Sequence, residues 1–142
     1  MLKIDKFTFE NKELREQAFA IRHKVFVIGQ NCPKHLEYEN EEYSTHFLLT
    51  INDKAVATAR HRKTKSGYKL ERFAVLEQER GKGYGHLLVE KSLKHLKANK
   101  QSPIKISAQA YLKDFYSSHG FIVKGGEYME DGIPHLAMYL EL

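Results

Sequence analysis

The stretch from Val75 to Leu88 limits the fold more than any other part of the chain. An apolar strand ends there, Arg80-Gly81-Lys82-Gly83-Tyr84-Gly85 follows with three glycines at alternate positions, and an amphipathic helix begins at once. Glycine lets backbone N–H groups turn inward and approach a ligand closely, while a helix N-terminus adds unsatisfied donors and a partial positive charge. The expected product is an anion cradle, to which Arg80 and Lys82 add cationic donors suited to phosphate. Its spacing fits neither Gly-x-x-x-x-Gly-Lys-Ser/Thr nor Gly-x-Gly-x-x-Gly. An ordinary glycine-rich turn before a helix is the plainer alternative.

The flanking segments read as one alternating series. Leu2, Ile4 and Phe7 suggest an opening strand, and Asn11 can cap a helix over residues 12–27 that buries Leu14, Ala18, Ile21 and Val25 at helical spacing. Residues 29–43 are polar, contain Pro33, and read as loop with a short helix. Strands follow at 46–51, 54–63 and 68–76, joined by turns at Asn52-Asp53 and Ser66-Gly67, which gives an antiparallel meander. A helix over 84–98 turns Leu88, Val89, Leu93 and Leu96 inward. The chain closes with a buried strand at 104–109, a short helix over 113–119, and strands at 121–123 and 135–140. A parallel crossover joined to a meander implies an α/β mixed sheet. At 142 residues, one domain spanning 1–142 is the expectation.

Composition narrows the function classes. A 42% hydrophobic and 29% charged chain is ordinary for a globular protein. The single cysteine, Cys32, permits no intramolecular disulfide or Cys-rich metal site, and the eight histidines show no metal-binding spacing, so no metal is expected. The charged start Met1-Leu2-Lys3-Ile4-Asp5-Lys6 lacks the apolar core of a secretory signal, and no apolar run reaches membrane length, so a cytoplasmic protein without a membrane partner is expected. A net charge of +5 favours an anionic partner. That partner could be nucleic acid, a membrane surface or a phosphorylated small molecule, and charge alone does not choose among them, although basic and acidic residues are interleaved and no block of like charge resembles a nucleic-acid arm.

A second segment sharpens this. Gln109-Ala110-Tyr111-Leu112-Lys113-Asp114-Phe115-Tyr116 places an aromatic pair on a short helix that ends at Gly120-Phe121. Together with the glycine loop it resembles the GNAT superfamily of acyltransferases, with its Gln/Arg-x-x-Gly-x-Gly/Ala signature and its Phe-Tyr-x-x-x-Gly-Phe ending. Arg22-His23-Lys24-Val25-Phe26-Val27, Ala57-Thr58-Ala59-Arg60 and Glu130-Asp131-Gly132-Ile133-Pro134-His135 look like the ElaA/YjcF-like branch. The chain departs from that branch at Gly29, where Glu usually precedes Gln, and Gln109 stands where many superfamily members have Asn.

The resemblance implies a central, mostly antiparallel mixed sheet of six to seven strands with about four helices and a splayed strand pair holding acetyl-CoA. By the same resemblance the diphosphate would meet Arg80 to Gly85, and the pantetheine arm would lie along Phe73, Ala74 and Val75 opposite the strand ending at Gln109, near Phe115. The implied reaction is acetyl transfer to a primary amine by direct attack in a ternary complex, with a small-molecule acceptor, no nucleic acid and a possible homodimer. A backbone N–H near Val75 would stabilise the oxyanion. Tyr116 is similar to the family's proton donor to the leaving thiolate, or packs with Phe115 against the sheet. Glu71, on the face of Phe73 and Val75 by two-residue alternation, is the carboxylate placed to act as base, or else a surface glutamate paired to Arg72 or Lys69.

Arg22, His23 and Arg60 suggest a carboxylate or phosphate on the acceptor, as in an amino acid or amino sugar phosphate. His23 and His135 fall beside the acceptor site by resemblance. The rival readings are a protein-directed acetyltransferase and a CoA-binding regulatory module without turnover.

Overall fold

A computed structural model describes residues 1–28, 43–65, 67–98, 103–130 and 132–141. Its strands are β1 (Leu2–Phe7), β2 (Ser44–Ile51), β3 (Lys54–Thr64), β4 (Gly67–Val75), β5 (Ile104–Gln109), β6 (Ile122–Val123), β7 (Tyr128–Glu130) and β8 (Ile133–Leu140). The helices are α1 (Lys12–Arg22), α2 (Tyr84–Ala98) and α3 (Lys113–Ser117). All strands join one sheet in the order β1-β2-β3-β4-β5-β8-β6, with β7 paired to β8. Among the described strands only β4 and β5 pair in parallel, as a crossover through α2 requires.

The meander forms where the turn residues place it. Asn52 and Asp53 both take positive φ, 49° and 67°, the pattern of a two-residue hairpin turn whose twist matches its strands. α1 begins where the Asn11 side chain accepts the Leu14 N–H at 3.1 Å, a cap worth about 1 kcal/mol. The helix expected over 12–27 is α-helical only to Arg22 and continues as a wider π turn over His23–Ile28. Its apolar stripe survives the change, since Ala18, Ile21 and Val25 are buried against Phe7, Leu48 and Ala74.

The sheet has eight strands among the described residues, against six to seven expected, because β7 forms a hairpin with β8 that short exposed residues conceal. α-Helices number three among the described residues, against about four. The short helix expected within 29–43, with Gly29 and Cys32, lies outside the described residues. α2 packs Leu88, Val89, Leu93 and Leu96 onto one sheet face, each leucine contributing roughly 2 kcal/mol. α1 covers the other face at β3 and β4.

Candidate functional site

β4 and β5 touch at one end and separate at the other. Their ladder holds two register pairs, Tyr68↔Ile104 and Lys69↔Lys105. Below them Gly67, at φ +145°, lies so close to Pro103 that a Cβ would sit 2.3 Å from its carbonyl oxygen, and the Tyr68 N–H donates to that oxygen at 2.9 Å. Past Lys69 the strands part around a cavity of about 830 Å³ whose wall includes Phe73, Ala74 and Val75 on one side and Ile106, Ser107 and Gln109 on the other. The part of β4 beyond the ladder thus offers an edge to which an extended ligand can add as a strand does.

The glycine loop closes the open end. Gly81 and Gly83 take φ of +81° and +84°, and a Cβ at either would meet nothing within 4 Å, so these glycines serve the backbone turn and not a tight contact. The Leu87 N–H donates to the Gly83 carbonyl at 3.2 Å, which starts α2 directly at the loop. Left-handed turns beside a helix N-terminus form the kind of amide concavity that takes phosphate. Gly81, Gly83, Tyr84 and Gly85 line the cavity with Arg80, whose Nε–H donates to the Val75 carbonyl at 3.1 Å. Gly85 has a separate reason to be glycine: its Cβ would stand 3.2 Å from the Phe115 ring.

Tyr116 and Phe115 of α3 form the apolar wall. Tyr116 is 5% exposed and sits edge-on to Phe73, Phe115 and Phe121 at centroid distances of 6.0, 4.9 and 6.2 Å. Burial, reinforced by Tyr111, pushes the phenol well above its ordinary range, so it holds its proton at every physiological pH. Tyr116 therefore packs, and it lines the cavity as well.

The opposite wall is charged, and one feature of the backbone decides its geometry. β3 and β4 pair Arg60 with Glu71 and Thr58 with Ala74, so three steps along β4 match two along β3. Arg72, at φ +56°, sits in this bulge. The bulge reverses the alternation: Glu71 shares the face of Ala74 and lies opposite Phe73 and Val75, contrary to the two-residue count. On that face its carboxylate meets Arg60 Nε at 2.7 Å, Arg62 Nε at 3.1 Å and Lys69 Nζ at 3.6 Å. Burial alone would raise the Glu71 carboxyl, but Arg60, Arg62, Lys69 and Arg72 together hold it below the usual carboxylate range. Arg60 is buried and Glu71 partly so, and Arg60, Arg62, Lys69 and Arg72 all line the cavity.

β5 and β8 complete this side. Gln109 stands opposite His135 in the ladder, and Ser107 opposite Ala137. His135 is 6% exposed; its Nδ1 lies 2.7 Å from the Ile133 carbonyl and its Nε2 3.3 Å from Glu130 Oε2. Ser107 and Glu130 line the cavity beside it, and Ser107 also contacts the Tyr128 hydroxyl. Ser107 and Glu130 on the cavity wall, with Tyr128 in contact with Ser107, form a group that sequence reasoning missed. The available signal was Gly132, at φ +76°, between two short runs rich in β-formers.

Three expected residues stay apart from the cavity wall. Lys82 is exposed and paired to Glu79 at 3.0 Å. Arg22 is buried within α1, its guanidinium 5.0 Å over the Phe19 ring, and His23 follows it into the π turn; neither is among the lining residues. Val25 and Phe26 are the residues of this segment that reach the cavity. Among the described residues no group of three His, Cys, Asp or Glu side chains could hold a metal ion, and no helix is long and apolar enough to cross a membrane.

Known proteins share this arrangement. Residues 10–142 match the family described as acetyltransferase (GNAT) domain. The uncharacterized N-acetyltransferase YjcF of Bacillus subtilis is 35% identical over 132 residues, covering 91% of this chain and 94% of that protein. The crystal structure of Escherichia coli ElaA superposes with a TM-score of 0.90 at 31% identity, covering 99% of this chain and 100% of ElaA. A GNAT family acetyltransferase from Elizabethkingia anophelis with acetyl-CoA bound shares the fold alone, with a TM-score of 0.75 at 14% identity over 99% of this chain and 98% of that one. With the glycine loop, the opened strand pair and the aromatic helix in place, the chain belongs to the GNAT family of acetyltransferases.

Proposed function

We propose that the chain transfers acetyl from acetyl-CoA to the primary amine of a small, anion-bearing metabolite of the amino acid or amino sugar type, by direct attack in a ternary complex. The observation that carries this reading is the parting of β4 from β5 immediately beside the glycine loop, with an apolar wall on one face and a cationic wall on the other.

Acetyl-CoA supplies the activated thioester, and the protein supplies positions and protons. The amides of Gly81 to Gly85 and the start of α2 receive the diphosphate, with Arg80 adding charge. The open edge at Phe73, Ala74 and Val75 aligns the pantetheine arm, with Gln109 and Phe115 across from it. A backbone N–H near Val75 meets the negative charge that develops on the acetyl oxygen. Tyr116, which keeps its proton through burial, gives it to the departing thiolate.

Glu71 serves this chemistry as a fixed anion. Its depressed proton affinity makes it a weak base, and its contacts orient Arg60 and Arg62 toward an acceptor's carboxylate or phosphate. Arg62 and Lys69, cationic on the cavity wall beside this carboxylate, support an anionic acceptor, because positive charge lining a cleft favours a counter-ion.

The test is thiol release from acetyl-CoA across matched amines: β-alanine and propylamine, phosphoethanolamine and ethanolamine, glucosamine 6-phosphate and glucosamine, and a lysine peptide. Anion-bearing members should react at least tenfold faster at equal concentration, and Arg62→Gln should erase most of that preference through KM. Preference for the peptide would favour a protein-directed enzyme. Tight acetyl-CoA binding with no thiol release from any amine would favour a regulatory module.

A further inference from the structure

We propose that Glu130 and His135 form the docking site for the acceptor's ammonium group and that His135 Nε2 is the base that deprotonates it, an assignment that rests on the acetyl-transfer reading. The Ile133 carbonyl can only accept, so His135 Nδ1 must donate to it across 2.7 Å. In a neutral imidazole this leaves Nε2 as an acceptor, and what faces it at 3.3 Å is a second acceptor, Glu130 Oε2. An imidazolium bridges that gap with its own Nε2–H, and the neutral ring needs an N–H donor shared between the two acceptors. A primary ammonium has three N–H groups and satisfies both atoms at once.

The neighbouring groups fix the carboxylate. Ser107 has one hydroxyl proton and directs it to Glu130 at 3.4 Å, so the Tyr128 hydroxyl donates in turn to Ser107 Oγ. The Tyr128 ring stacks on His135 at 6.1 Å and 30°, which sets the imidazole plane. Glu130 and Tyr128 are the titratable groups that β7 presents to the imidazole; β5 presents uncharged Ser107 and Gln109, and the following turn adds Tyr111 to the same cavity. By strand alternation His135 and Ser107 lie on the sheet face away from Ile106, Ala108 and Met138, which pack with α2, and so share the side of the Glu71 cluster. An acceptor can thus span the two walls, anion toward Arg62 and ammonium toward Glu130. The cations around Glu71 would repel the same ammonium.

In the step itself, the ammonium gives one proton to Nε2, and the imidazolium is held by Glu130. The freed amine forms the C–N bond to the acetyl carbon, the C–S bond breaks, and the thiolate takes the Tyr116 proton. The proton that leaves nitrogen as the amide forms returns to Tyr116 through water, and the imidazolium releases its own to solvent. Net products are amide, CoA thiol and one proton.

The test begins without any acceptor. In protein carrying ¹⁵N-labelled histidine, with the His135 ring signals assigned by their loss in His135→Asn, ethylammonium chloride should shift those signals saturably. Tetramethylammonium chloride, which has no N–H, should leave them in place, and Glu130→Gln should weaken the ethylammonium response. An equal response to both cations, or none, overturns the amine site. In the transferase assay with the preferred amine of the matched panel, His135→Asn should lower kcat about 100-fold at pH 7 and recover as pH rises toward the amine's own ionisation. An unchanged kcat, or a loss equal at every pH, overturns the base. Calorimetry with acetyl-CoA should give wild-type affinity for both variants. A wild-type protein that binds no acetyl-CoA would defeat the transfer reading while the ethylammonium arm still reports on the amine site.

Discussion

On either side of Arg72, β4 lives in two environments. From Gly67 to Glu71 it is held by β3 on one edge and reaches β5 on the other, with Leu70 fully buried and Glu71 caught among cations. From Phe73 to Val75 it keeps β3 and turns its other edge to the cavity. The glycines at the two ends differ in the same way. Gly67 is required by lack of space, whereas Gly81 and Gly83 stand in open space and are required by backbone conformation. Close packing is concentrated at the closed end, and backbone that faces the cavity at the open end.

The sharpest way to break this contrast is Gly67→Ala. Its new Cβ would overlap the Pro103 carbonyl at a φ that L-residues avoid, so urea unfolding should show a loss of about 4 kcal/mol, and wild-type stability would dissolve the distinction.

A slightly smaller effect comes from His61, which pairs with Leu70 in the closed region and contacts His95 at 3.1 Å. Burial, with His95, His46 and Lys6 adding repulsion, lowers its pKa from 6.5 to about 4. The unfolded chain therefore takes up a proton that the folded one refuses, and stability is complete above pH 6.5 and falls as pH drops toward 4, by about 3 kcal/mol. Glu71 acts in the same direction lower in pH, as its carboxylate is protonated. Chemical denaturation between pH 7 and 4 should show the slope in wild type and a much flatter one in His61→Leu.

At the open end, Gly83→Val should lower acetyl-CoA affinity by more than 100-fold, about 2.7 kcal/mol by calorimetry, with a smaller cost in stability of about 1–2 kcal/mol for the left-handed φ. Tyr116→Phe should reduce kcat about 30-fold and leave acetyl-CoA affinity within about twofold, since the ring packing stays and only the proton is removed. Lys82→Ala should change affinity by about twofold at most, because that ammonium is exposed and already paired with Glu79.

Much of this was legible in the sequence, and the failures share a cause. Periodicity locates α2 from Tyr84 to Ala98, and Leu88, Val89, Leu93 and Leu96 are all buried as their spacing requires. The turn at the glycine loop is legible because its signal is local: alternate glycines, a strand before and a helix after. Glu71 was misplaced because one extra residue in β4 flips every side chain before it, and bulges leave no periodic trace. The ammonium site was hidden because Ser107, Tyr128, Glu130 and His135 meet only through strand pairing. Arg22 drew attention by charge, and the structure buries it in α1 with its guanidinium over Phe19, outside the cavity lining.

The central claim is that coenzyme occupies the parted edge of β4 and the loop that follows it. Hydrogen–deuterium exchange measured with and without acetyl-CoA tests this directly. Slowed exchange at residues 73–75 and 81–88, with β2 and the closed end of β4 unchanged, is the expected result. Exchange at those two segments that does not respond to saturating acetyl-CoA would contradict it.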